Sequence, residues 1–213
     1  MRITVTELQF SHMPIDDFLA AAASKEPVPG GGGIAALTAA SAAALVEMVA
    51  NLTIGKKGYE DVERIMVQIR DQAAALRQRY LRGIAEDAAA FDAVIQAVRL
   101  PKTTEKRSEH VQAAFKRAAS IPFSLGQDIF QLLQFSEQAV QFGNEWVITD
   151  GAIAAMNARA AMRSAFYSVR VNLHSIRDEA FVTEMMKAIT ATEEKAVLIE
   201  QSVERKYHER CGS

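Results

Sequence analysis

The sequence predicts an all-α fold, an up-and-down antiparallel bundle of about six or seven helices, on three observations. Hydrophobic residues make up 49% of the 213, led by Ala, Leu, Val, Ile and Met with aromatics at only 7%, a mix that suits close-packed helices over sheets. The five prolines, Pro14, Pro27, Pro29, Pro101 and Pro122, all fall where the helical pattern pauses, so they punctuate helices. No strand-like alternation of useful length, fixed-period repeat or low-complexity linker divides the chain, and residues 1–213 read as one domain.

In order, a short helix is expected near Pro14 to Ser24, followed by the turn Pro27-Val28-Pro29-Gly30-Gly31-Gly32-Gly33. A small-residue helix then runs from about Gly33 to Ile54 and ends at Gly55. One long helix spans about residues 60–97, with an apolar seam at Val62, Met66, Ile69, Ala73, Leu76, Tyr80 and Ile84, continuing through Phe91, Val94 and Val98 in steps of three and four. Further helices are expected over Glu105 to Ser120, Ser124 to Phe142, Asp150 to Ile176 and Asp178 to Lys206. The last has its seam at Val182, Met185, Ile189, Thr192, Ala196, Ile199 and Val203. The helices at Gly33 to Ala50 and Ala152 to Ala165 carry Ala, Gly and Ser on most faces, which implies burial all round and a homodimer or higher homo-oligomer.

The net charge of −2 is spread over interspersed acids and bases, so the sequence offers no broad basic surface for a nucleic-acid backbone. The one cysteine, Cys211, has no partner in the chain, which fits a reducing compartment. No basic-then-apolar leader opens the chain, and the longest apolar stretch carries Glu47, so the expectation is a cytoplasmic protein with no membrane partner. Of the four histidines none forms a Glu-x-x-His or His-Glu-x-x-His pair, so no metal is expected, and no Gly-x-Ser-x-Gly elbow supports nucleophilic catalysis. Carboxylate acid–base chemistry remains.

Four constellations could carry it. Asp87 occupies the seam slot between Ile84 and Phe91; the alternative seam Ile84, Ala88, Phe91, Ile95 would leave it on the flank in a salt bridge. Gly143-Asn144 and Thr149-Asp150-Gly151 open a helix, where Thr149 or Asp150 serves as N-cap, or else Asn144 and Asp150 face a pocket. Arg159, Arg163, Arg170 and Arg177 share a face that is solvated, subunit-pairing or a cradle for anions, while Asn172 lies between Val171 and Leu173. Finally, Gly30 to Gly33 expose backbone amides, with Lys56, Lys57 and Tyr59 beyond the same helix's end; without a Gly-Lys-Ser or Gly-Lys-Thr the run is no nucleotide loop, and a plain turn explains it as well.

These pieces in this order resemble the cyclodeaminase family, formiminotetrahydrofolate cyclodeaminase and the stand-alone methenyltetrahydrofolate cyclohydrolases. The matching stretches are Pro29 to Gly32, Leu52 to Lys57 with Tyr59, Asp87 to Phe91 leading to Leu100-Pro101-Lys102, and Ile121-Pro122. Gly143-Asn144, Val147 to Gly151, Val169 to Leu173 and Ile176 to Asp178 complete the set. The resemblance implies an all-helical dimer that works on a tetrahydrofolate derivative at its N5–N10 bridge, releasing ammonia or adding water, with no permanently bound cofactor. It implies Asp87 and Asp150 as the proton-transfer pair. Gly31, Gly32, Asn144 and Asn172 would bind substrate, the two asparagines orienting pterin or amide groups, and Lys56, Lys57 and Lys102 would meet the anionic glutamate tail. Glu145-Trp146 stand where the family usually reads Pro-Asn, and Ser168 where it usually reads Asn. The other reading is a non-catalytic helical dimer that binds a folate or other anion as a partner protein. An enzyme predicts both carboxylates opening into one cleft with Asn144; a scaffold predicts Asp87 salt-bridged and Asp150 merely capping.

Overall fold

The computed structural model describes residues 10–212, and among these it contains six α-helices and no strand. They are α1 (Ile15–Ala23), α2 (Gly31–Asn51), α3 (Glu63–Arg99), α4 (Arg107–Phe142), α5 (Ile148–Leu173) and α6 (Glu179–Cys211). Helices α2 to α5 close a ring in which α2 and α4 each pack on both α3 and α5, and α6 lies along α4 and α5. Short connections make successive helices antiparallel.

Small residues make α2 the centre of this packing. Ala35, Ala36, Ala39, Ala42 and Ala43 are fully or almost fully buried, so neighbouring backbones approach it closely. It is also the one helix among the described residues long and apolar enough to cross a membrane, a property it shares with core helices, and 56% of that apolar window is buried inside the bundle. On α3 the expected seam holds from Met66 to Ile84 and then continues through Ala88 and Val94. Phe91 and Val98 leave it, 41% and 44% exposed. The α6 seam buries Met185, Ile189, Thr192, Ala196 and Val203 as expected.

Pro122 corrects the expectation of two helices over residues 105–142. The structure has a single 36-residue helix with Pro122 buried inside it. A proline lacks the N–H that would bond the carbonyl four residues back, here Ala118. Asn172 of α5 supplies the missing donor: its Nδ2 bonds the Ala118 carbonyl at 3.2 Å and the Ser168 carbonyl at 2.9 Å. A proline that spacing alone reads as a boundary is thus held within a helix by a neighbour. At the other end of the 100–106 connection, Arg107 donates to the carbonyls of Leu100 and Val98 at 2.8 and 2.6 Å and ties the start of α4 to the end of α3.

The α4–α5 contact depends on Gly126. A Cβ built there would meet the ring of fully buried Phe166, with Cδ1 at 2.8 Å, and a ring locked in the core has little room to withdraw. Gly126→Ala is expected to destabilise the fold by about 1–3 kcal/mol despite its better helix propensity, read as a lower denaturant midpoint; an unchanged or higher midpoint would show that α4 and α5 are not so closely packed.

Candidate active site

The residues singled out from the sequence divide between two poles of the bundle. One pole holds Gly31, Gly32, Asp87, Lys102 and Asn172; the other holds Lys56, Lys57, Asn144 and Asp150. The 21 residues of α2 separate them, a span of about 30 Å at the helical rise of about 1.5 Å per residue. Asp87 and Asp150 therefore do not open into one cleft within a single protomer, and the expected pairing is corrected to that extent.

At the first pole, the carboxyl group of Asp87 lies against the opening turn of α2. It accepts a hydrogen bond from the backbone N–H of Gly33. It also fills the space where a Cβ on Gly32 would stand, so only glycine fits there. The glycine turn does accommodate an acidic group, and that group is the protein's own Asp87 carboxyl; Gly31 beside it stays open. Asp87 sits on the flank of the α3 seam, as Ala88 takes the buried slot, but among the described residues it makes no salt bridge of the kind expected for a flank residue. Burial holds its carboxyl above the usual carboxylate range, with the Gly33 N–H opposing.

Asp87 also lines a cavity of about 260 Å³ between α3 and α4. Its far end holds Asp128, whose carboxylate meets Arg79 Nε at 2.9 Å. Burial pushes the Asp128 carboxyl up and the Arg79 guanidinium opposes the push. Ser120, Pro122 and Ser124 form part of the α4 wall, and Arg117, exposed at the rim, makes no ion pair among the described residues. Behind this end the hydroxyl of fully buried Tyr80 has no hydrogen-bond partner among the described residues, and its ionisation is pushed far up by burial. The sequence reading missed Asp128, Arg79 and Arg117. The available signal was Asp128 next to seam residue Ile129, an acid on an otherwise apolar stretch of α4.

At the second pole, Asn144 is buried and fully engaged. Its N–H donates to Thr53 Oγ1 at 2.9 Å and its Nδ2 to the Leu52 carbonyl at 3.0 Å, while its Oδ1 accepts from Trp146 N–H and from Lys56 Nζ at 2.7 Å. Asn144 thus locks the α2–α3 connection to the turn before α5. The Glu145 N–H donates to the Tyr59 hydroxyl, and Trp146 is left 80% exposed. Neither Thr149 nor Asp150 caps α5, which starts one residue earlier at Ile148; Asp150 lies in its first turn, half-buried and without a hydrogen bond or ion pair among the described residues. The lysines part company: Lys102 is exposed at the Asp87 pole, while Lys56 bonds Asn144 and Lys57 follows it in the same connection, so one protomer cannot bring all three to one anionic tail. The arginine stripe serves packing in large part, with Arg170 paired to Glu193 at 2.7 Å and Arg159 beside Glu200 at 3.8 Å, both joining α5 to α6.

An all-helical bundle carrying a desolvated carboxylate beside a polar cavity is equipped for proton transfer to a small molecule. The family model for formiminotransferase-cyclodeaminase matches residues 14–191, and the chain belongs to that family. It is similar to the methenyltetrahydrofolate cyclohydrolase of Methylorubrum extorquens, 38% identical over 179 residues that cover 82% of this chain and 86% of that protein. It is also similar to the formimidoyltransferase-cyclodeaminase of Sus scrofa, 27% identical over 194 residues that cover 89% of this chain and 36% of that protein. A crystal structure of formiminotetrahydrofolate cyclodeaminase from Thermotoga maritima matches with a TM-score of 0.87 at 30% identity, over 92% of this chain and 96% of that one.

Because burial raises the Asp87 pKa in the folded state, ionising Asp87 at neutral pH works against folding. Asp87→Asn keeps an acceptor for the Gly33 N–H and removes the charge. It is expected to raise Tm at neutral pH, with the gain fading below about pH 4, where the carboxyl is protonated in both states. A Tm unchanged or lowered at neutral pH would mean the carboxylate is not desolvated.

Proposed function

We propose that this chain is a folate one-carbon enzyme that acts at the N5–N10 bridge of tetrahydrofolate, as a cyclodeaminase releasing ammonia or a cyclohydrolase adding water. Family membership and the names of its relatives support the substrate class. The observation that carries the chemistry is Asp87, a desolvated carboxyl against the α2 amides in a cavity that also holds Asp128. Both reactions need one group to give a proton and another to take one. Asp87, with burial favouring its neutral form, suits the donor. Asp128 is also pushed up by burial, but unlike Asp87 it has a cation beside it, Arg79, to oppose the push, which suits it as the acceptor.

Asp150 enters by a second arrangement, favoured by two observations. It is a half-buried carboxylate with no partner among the described residues of its own chain. In addition, α5 exposes a stripe at three- and four-residue spacing, with Ile153, Met156, Tyr167 and Val171 between 41% and 71% exposed. Small Ala160 and Ser164 in its middle permit close helix approach. A homodimer packed on this stripe across a two-fold axis would set opposite poles side by side.

The first test gives the purified protein methenyltetrahydrofolate and formiminotetrahydrofolate separately and follows the methenyl absorbance band. Loss in the first identifies a cyclohydrolase and gain in the second a cyclodeaminase; a folded protein silent in both overturns the reading in favour of a folate-binding scaffold. Asp87→Asn is expected to lower kcat by about 10²-fold or more. Mixing inactive Asp87→Asn and Asp150→Asn protomers separates the two arrangements. Recovered activity places Asp150 in a site shared by two subunits, whereas Asp128→Asn inactivation with no recovery keeps the site within one.

A further inference from the structure

We propose that Asn172 is a positioning residue for the chemistry at Asp87: by bonding the carbonyl that Pro122 leaves unpaired, it sets the α4 wall of the Asp87 cavity. Pro122 itself lines that cavity, as do Ser120 and Ile121 before it and Ser124 after it. The course of α4 through this turn fixes where all of them stand relative to Asp87. That course has a weak point, because the Ala118 carbonyl has lost its acceptor role within the helix. The Asn172 amide nitrogen satisfies it from outside at 3.2 Å while a second bond to Ser168 O at 2.9 Å holds the amide in place. Ala118 is buried at 6% exposure, so water cannot readily replace the donor.

The direction of approach distinguishes this role from substrate binding. Asn172 reaches α4 from the α5 side, whereas the cavity lies on its α3 side. Both hydrogen bonds use Nδ2, so the amide that would orient a pterin is already committed. Without it, the turn around Pro122 relaxes, the wall retreats and water reaches Asp87. The charged groups facing Asp87 stay the same: Glu86 and Arg79 on its own helix, Arg117 and Asp128 on α4, with α2 contributing only backbone N–H. A loss of desolvation then moves any activity limb set by Asp87 to lower pH.

The inference rests on the folate reading for its kinetic readout but not for its structural one. The experiment compares the wild type with Asn172→Ala, Pro122→Ala and the double variant, because Pro122→Ala gives α4 its own N–H for the Ala118 carbonyl. In the wild-type background Asn172→Ala is expected to lower kcat on the order of tenfold or more, with KM within about threefold and the Asp87 limb moved to lower pH. In the Pro122→Ala background the same change should cost no more than about twofold, and the two substitutions should be non-additive in Tm as well. If Asn172→Ala alone does not fold, recovery of a folded protein in the double variant supports the coupling, and an equally unfolded double variant overturns it. Equal losses in both backgrounds, or a raised KM with kcat intact, also overturn it, the latter making Asn172 a substrate contact. If the wild type acts on neither folate, the folate reading fails while the Tm cycle still decides the Asn172–Pro122 coupling.

Discussion

Much of the site depends on one close approach, the carboxyl of Asp87 against the first turn of α2. It requires Gly32, because any Cβ there would occupy the carboxyl's position. It also requires α3 to pack tightly enough for a side chain on its flank to reach α2's unpaired amides, and the run of buried alanines along α2 allows that. The composition of α2 therefore serves two ends at once. Small side chains bring the helices together, and their absence at residue 32 leaves room for the acid.

The folding pattern was largely legible in the sequence because it rests on periodicity. The three- and four-residue steps of α3 from Met66 to Ile84 and of α6 from Met185 to Val203 mark buried faces regardless of what covers them. Pro122 escaped the same reasoning. Local chemistry says that proline ends a helix, and the donor that lets α4 continue comes from Asn172, 54 residues along the chain from the Ala118 carbonyl it bonds.

The site was legible residue by residue but not as an assembly. Asp87 stood out as an acid near an apolar seam, and Asn144 as an amide ahead of a helix start, yet their separation is set by the length of α2, which no motif spacing expresses. The reverse error occurred at Asn144 and Lys56, whose polar groups read as free for a ligand and are in fact joined to each other and to Leu52 and Thr53. Asp128 and Arg79 went unseen because an ion pair between two helices has no signature in either helix alone. Polar residues on an apolar face announce that something must satisfy them; whether that is a ligand or another part of the chain is decided by tertiary contacts.

Two locally unfavourable features face each other across one cavity: a carboxyl stripped of much of its water on α3, and a proline that deprives α4 of a hydrogen bond. Most of the surrounding bundle carries neither kind of burden, being lined with apolar residues in regular helical register. A sequence selected for stability alone would place an amide or alanine at residue 87 and a non-proline at 122, since both changes remove a conflict between local preference and tertiary structure. Each conflict is instead balanced by a specific neighbour, the Gly33 N–H for Asp87 and the Asn172 amide for Ala118. Their meeting at a single polar cavity is what a functional site predicts. Salt-bridged surface acids and proline boundaries, the structural readings of the same residues, would scatter such features across the fold and would give them no reason to share a wall.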